Sequence, residues 1–208
     1  MDSQTIASDL PNQLRHVKRS LHGMMNGPVS ASMREKGLAY KVNFGVELPR
    51  LRDFASTLPH TYELASALWK EDIRECRILA GMLMPAERFD SELADVWLDQ
   101  MRFTEEAECT VMNLFIHLKD ASDKAFEWMA DERSLHQVCG YLLLARLLMG
   151  GATLAPRDEA ELADHALAAL RGNDMAVKRA AQKCLLKFMD QGPRQEQLAE
   201  QVLQQALG

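Results

Sequence analysis

The sequence predicts an all-α fold, a solenoid of stacked antiparallel helix pairs, and three observations predict it. β-Branched residues are few, while Leu, Ala, Met, Glu and Gln are common, a composition that favours helix over strand. Apolar residues recur at i, i+3 and i+4, and no alternating run of strand type occurs. One unit also repeats. Thr61 to Met84, TYELASALWKEDIRECRILAGMLM, reads as a helix, a short turn and a second helix. Comparable second helices open at Asp72, Thr104, Ser134 and Asn173. Those intervals, roughly 30 to 40 residues, fall in the range of tetratricopeptide and HEAT/armadillo pairs, about 34 to 47. Neither helix of such a pair buries its apolar stripe alone, so the pairs must stack into a superhelix of HEAT-like or ARM type.

The expected organisation is one domain over 1–208. It comprises N-terminal helices and a lead-in over 1–60, four pairs over 61–190 and a capping helix over 193–208. Residues 1 to 8 are expected to fray. Asp9 is expected to cap the first helix, with Pro11 in its first turn. Leu10, Leu14, Val17, Leu21 and Met24 are its stripe, and Arg15, Lys18, Arg19 and His22 cover another face. Asn26-Gly27-Pro28 ends that helix, and a short helix over 30–36 follows. Phe44-Gly45-Val46 reads as a turn with an apolar plug. Leu48 to Leu58 is the next helix, with Pro49 in its first turn.

In the first pair, Thr61 caps a helix whose stripe is Leu64, Ala65, Leu68 and Trp69. Asp72 opens the second helix with Glu75 three residues on, a capping-box arrangement. Its stripe is Ile73, Cys76, Ala80 and Leu83, while Arg74 and Arg77 share another face. The second pair runs through Leu93 to Trp97, then a cap at Thr104 and the helix EEAECTVMNLFIHL. The third has Ala125 to Trp128, a capping box at Ser134 and Gln137, and VCGYLLLARLLM. The last run, Tyr141 to Met149, is broken by Arg146 and too short for a bilayer span of about 20 residues, so it reads as a buried central helix. The fourth has Leu162 to Leu167, the turn Gly172-Asn173 and MAVKRAAQKCLLKFM. Gly192-Pro193 breaks the chain before an amphipathic terminal helix with the polar outer face a cap needs.

Composition narrows the chemistry. The start, MDSQTIASDL, is acidic and polar rather than a signal peptide, so a cytoplasmic location is expected. Cys76, Cys109, Cys139 and Cys184 all fall within second helices and never form CxxC, which reads as small core residues in a reducing compartment. Six scattered histidines lack ligand spacing, so no metal and no cofactor are expected. The net charge of −6 is uneven, with 8 Lys/Arg against 17 Asp/Glu between Thr61 and Leu135. An acidic total argues against nucleic acid only weakly, since a solenoid can segregate charge between its faces. The strongest nucleic-acid signal is Arg179, Lys183 and Lys187 at i, i+4, i+8, with Lys178 and Arg171 nearby. That stripe could follow a phosphate backbone or be an ordinary solvated face. Arg74 and Arg77 could add to the same surface.

The stretch YKVNFGVELPRLRDFA, followed by LASALWKEDIRECRILAGMLM, resembles the start of the DNA alkylation repair enzyme family, the AlkD-like HEAT-repeat proteins. The shared features are an extended lead-in with a Phe-Gly turn, an Arg about five residues later (Arg50 or Arg52), a helix ending in Leu-Trp and a helix with Glu and an apolar run. The likeness is fullest from Tyr40 to Met84 and continues more faintly to Met189. It implies second helices that line a groove holding duplex DNA. It also implies excision of N3- or N7-alkylated purines by hydrolysis of the N-glycosidic bond, where a carboxylate steadies oxocarbenium-like charge. Glu108 stands where that catalytic carboxylate would be. Phe103 and Thr104 stand where paired tryptophans would be, Val138 where a groove arginine would be, and Lys183 where another tryptophan would be.

Trp69, Trp97 and Trp128 sit on apolar stripes late in first helices, which makes them repeat core. Two readings therefore stand side by side. One is a DNA-binding family member, with Arg74, Arg77, Arg179, Lys183 and Lys187 on the backbone and Glu108 as anion, acting as a glycosylase if active. The other is a non-catalytic helical scaffold for a protein partner, suited to the acidic middle of the chain.

Overall fold

The computed structural model describes residues 3–207, and side chains from residue 9 onward. Met1, Asp2 and Gly208 lie outside the described residues, as do the side chains of residues 3–8, where fraying is expected. Among the described residues the structure is helical, with one isolated backbone bridge between Val42 and Ile73. The chain forms two compact units, Met1–Phe89 and Asp90–Gly208.

The first unit contains α1 (Ser3–Gly23), α2 (Gly27–Glu35), α3 (Leu48–Ala55), α4 (Tyr62–Trp69) and α5 (Arg74–Leu83), then a 3-10 turn over Ala86–Arg88. α1 starts before Asp9, so Asp9 does not cap it. Its carboxylate instead accepts from Asn12 and Gln13 one turn on. α1 packs on α4, and α3 on α5. Asn26 ends the first connection and caps α2, its Oδ1 accepting from the Val29 N–H. Thr61 caps α4 as expected, accepting from the Leu64 N–H at 3.3 Å.

The lead-in between α2 and α3 is an extended strap laid on the start of α5. Val42 N–H donates to the Asp72 carbonyl, and Arg74 N–H donates back to the Val42 carbonyl. The expected capping box at Asp72 and Glu75 is not formed. α5 begins at Arg74 with Ile73 at its cap. Glu75, fully buried, turns its carboxylate to the strap, where Oε2 accepts from Phe44 N–H at 3.1 Å and Oε1 from Val46 N–H at 3.2 Å. The physical reason is competition. Two strap amides with no other partner are a better use of a buried carboxylate than a cap that water could satisfy.

The second unit contains α6 (Ser91–Asp99), α7 (Thr104–Asn113), a 3-10 turn (Phe115–His117), α8 (Ala121–Met129), α9 (Ser134–Met149), α10 (Pro156–Arg171), α11 (Met175–Met189) and α12 (Pro193–Leu207). α9 is apolar nearly all round and is the hub: α8, α7 and α11 all pack on it. Gly140 is where α8 comes closest, since a Cβ there would stand 2.6 Å from the Ala125 carbonyl oxygen. α12 covers both α10 and α11, as a terminal cap should. The indoles of Trp97 and Trp128 are buried, and Trp128 Nε1 donates to Asp95 at 2.8 Å.

Three local expectations in this unit are corrected. Thr104 is the first residue of α7 rather than its cap, and Glu106 Oε2 takes the Arg102 N–H instead. Ser134 and Gln137 form no capping box, because Gln137 Nε2 donates to the Asp131 carbonyl. The helix expected to run to Leu118 breaks after Asn113. Leu114 leaves helical geometry (φ −134°, ψ −57°), and the following turn brings Phe115 within 5.1 Å of the Trp128 ring. Burial of that ring pair outweighs one more helical turn.

All four cysteines are buried and free. Burial pushes the Cys76 and Cys184 thiols up to about 12, so neither is a nucleophile at neutral pH. Among the described residues no helix is long and apolar enough to cross a membrane.

Asp174 caps α11, accepting from Ala176 N–H at 2.8 Å and Val177 N–H at 3.1 Å. A hydrogen bond from Ser134, then those amides, hold its carboxyl below the ordinary value of 3.8. A depressed folded-state pKa stabilises above the unfolded value and loses that stabilisation as pH falls through the folded one. Asp174→Ala is therefore expected to cost about 1 kcal/mol at neutral pH. Urea unfolding should show the gap to wild type narrowing in acid; a gap independent of pH would contradict this role.

Candidate nucleic-acid interface

α7, α9 and α11 are the second helices of successive pairs, with α9 between the other two. Their facing turns enclose a groove of about 270 Å³. Thr104 and Glu108 of α7 form one wall. Val138 and Leu142 of α9 form the floor, and Ala176, Arg179, Ala180 and Lys183 of α11 form the other wall. Spacing explains the set. Residues four apart on a helix share a face, so 104/108, 138/142, 176/180 and 179/183 each present one strip. Ala176 and Ala180 are the part that sequence reasoning missed. Two small residues one turn apart on α11 leave the room that long side chains would fill.

Four positions singled out through the family resemblance, Thr104, Glu108, Val138 and Lys183, thus line one groove. Glu108, Arg179 and Lys183 are exposed and, among the described residues, have no hydrogen-bonded or ion-pair partner. No aromatic ring lines the groove. Phe103 lies just outside it, half-buried, with the Arg102 guanidinium 5.7 Å from its ring.

Other residues of the basic set are placed elsewhere. Lys187 is half-buried and ion-paired with Asp190 at 2.9 Å. Arg171 donates to the Gln205 carbonyl at 2.8 Å, tying α10 to α12. Arg74 and Arg77 are corrected outright: they are 1 % and 8 % exposed. Arg74 Nη1 donates to the Val46 carbonyl at 2.9 Å and to Glu75 at 3.1 Å. Arg77 stacks 4.0 Å over the Trp69 ring and donates to the Trp69 carbonyl. Both guanidiniums face the core of the first unit because its strap and turn supply carbonyls that need donors.

The sequence model of the DNA alkylation repair enzyme family matches residues 17–149. The chain belongs to this family. The match takes in the strap, the first pair, α7 and α9, and ends at the last residue of α9, before α11. Among solved structures, one similar chain is described as from "a new family of proteins related to the HEAT-like repeat DNA glycosylases with affinity for branched DNA structures". It superposes with a TM-score of 0.83 at 16% identity, covering 93% of this chain and 83% of that one. The fold is therefore that of the HEAT-like repeat proteins. No curated protein sequence matches the chain significantly.

Proposed function

We propose that this family member binds DNA through the groove of its second unit without excising bases. Arg179 and Lys183 contact phosphates, and Glu108 is an acidic neighbour rather than a catalyst. The observation that carries the reading is the pair of unpartnered cations, one turn apart on α11, at the wall of a groove. Their separation along the helix is about 6 Å. Phosphates repeat every 3.4 Å or so of axis along one strand, so a spacing of about 6 Å corresponds to roughly two steps along a backbone.

Excision is set aside on chemical grounds. A flipped alkylated base needs a surface to stack on. The groove offers Thr104 and Lys183 where rings would stand, and Lys183 would oppose a positively charged lesion. The relative's affinity for branched DNA makes a junction the first substrate to test.

The magnitude is modest. Two phosphate contacts give a salt slope near −1.8, about a 12-fold loss of affinity between 50 and 200 mM salt. Arg179→Ala combined with Lys183→Ala is expected to flatten that slope toward zero and weaken duplex and junction binding alike. Glu108→Gln should raise affinity a few-fold by removing a like charge. In parallel, release of 7-methylpurine from treated DNA should stay at background. Measurable release that Glu108→Gln abolishes would restore the glycosylase reading. Absence of any salt-sensitive DNA binding would instead favour a protein partner and the scaffold reading.

A further inference from the structure

α11 carries more than cations. Met175 and Leu186 are 56% and 57% exposed, large apolar side chains left in water on a helix whose opposite face is core. At 100° per residue, Met175, Leu186 and Arg179 fall within about 40° of one another, and Lys183 lies a further 40° toward the groove. The four thus form one ridge at the rim of the groove, apolar at both ends and basic between. Met175 and Leu186 are about 16 Å apart along the axis. Exposed apolar residues scattered singly need no explanation. Two on one ridge, bracketing two unpartnered cations, share whatever surface those cations meet.

We propose that Met175 and Leu186 are wedge residues that contact exposed base faces, so that this helix prefers DNA with an unstacked step, a branch point or a fork, over continuous duplex. The inference rests on the DNA-binding reading above and adds the substrate class. Intact duplex offers the ridge only phosphate and sugar, which satisfy Arg179 and Lys183 but leave both apolar tips wet. A branch point presents base faces beside phosphates, and apolar side chains are the groups that occupy such gaps. Charge complementarity to the two cations argues for nucleic acid as the occupant. A protein surface with apolar pockets flanking acidic groups is the competing occupant that the experiment can detect.

The test is fluorescence anisotropy with a labelled four-way junction and a duplex of equal length, using the full chain. Wild type is expected to favour the junction. Met175→Ser with Leu186→Ser should bring that preference down about fivefold, the scale of burying part of one such side chain. Duplex affinity and the salt slope should not change, and the exposed positions leave the fold intact by circular dichroism. In a junction with 2-aminopurine at the branch, wild type should raise its fluorescence and the double variant should not. An unchanged junction preference in the double variant overturns the wedge. So does wild-type binding without junction preference, while the DNA-binding reading survives both. If Arg179→Ala with Lys183→Ala leaves all DNA binding intact, it is the groove reading that fails.

Discussion

Glu75→Ala is expected to destabilise the first unit by about 3–5 kcal/mol, the cost of breaking a buried ion pair by removing one partner. Arg74, 1 % exposed, would keep its bond to the Val46 carbonyl but lose its bond to Glu75. The Phe44 and Val46 amides would lose their acceptor in the same step. Two mechanisms therefore act together, and a second variant separates them. Replacing an ion pair by apolar groups of similar size is often neutral. Arg74→Met with Glu75→Leu removes both charges of the pair but still leaves two amides unsatisfied, at about 1–3 kcal/mol each. It should recover only part of the loss. Urea unfolding gives the energies, and hydrogen exchange at Phe44 and Val46 shows whether the strap has detached. Recovery to wild-type stability in the double variant would mean that the amides contribute nothing.

The helix pairs were legible because a 3.6-residue period and buried Trp at first-helix ends leave little freedom of interpretation. Thr61, Gly45 and the four cysteines are found in the roles their residue types suggest. What failed to be legible was the direction of charged side chains. Arg74 and Arg77 are spaced like a surface strip, and nothing local says that a strap carbonyl 28 residues away will take Arg74 or that the Trp69 carbonyl and ring will take Arg77. Glu75 fits a capping box by sequence, yet a tertiary partner wins over its own helix. The same limit explains the site. The resemblance to the family's pattern points to Thr104, Glu108, Val138 and Lys183, and helical spacing alone does not say that they face one groove. That Lys187 is drawn off by Asp190, and that alanines open the wall of α11, required side chains in space.

These two sets of residues do different work. Arg74 and Glu75 hold the extended lead-in with its Phe-Gly turn, within the stretch that the family model matches. The groove lies in the other unit and is lined by no aromatic ring. The residues that hold the strap are thus separate from those that line the groove, and a member can keep the first while changing the second.

Gly45→Ala puts that separation to a direct test, with an expected loss of about 3 kcal/mol or more that leaves the groove untouched. Gly45 has φ +73°, a region in which a Cβ alone costs about 1 kcal/mol. Steric overlap costs more. A Cβ there would stand 2.3 Å from the Asn26 carbonyl oxygen and 2.6 Å from the Ser30 nitrogen, both backbone atoms at the start of α2. Neither can swing aside as a side-chain tip would. The strap must lift, which strains the Asn26 N–H bond to the Phe44 carbonyl and the Ser30 hydroxyl bond to the Asn43 carbonyl. Lifting also withdraws Phe44 and Val46 from Glu75, so the losses couple rather than add. Gly45→Ala combined with Glu75→Ala should therefore cost less than the sum of the two single changes. Salt-dependent DNA binding at a temperature where the variant stays folded should match wild type. An additive double variant would show that the turn and the carboxylate act independently, and a stability loss under about 1 kcal/mol would show that the strap can yield at no cost.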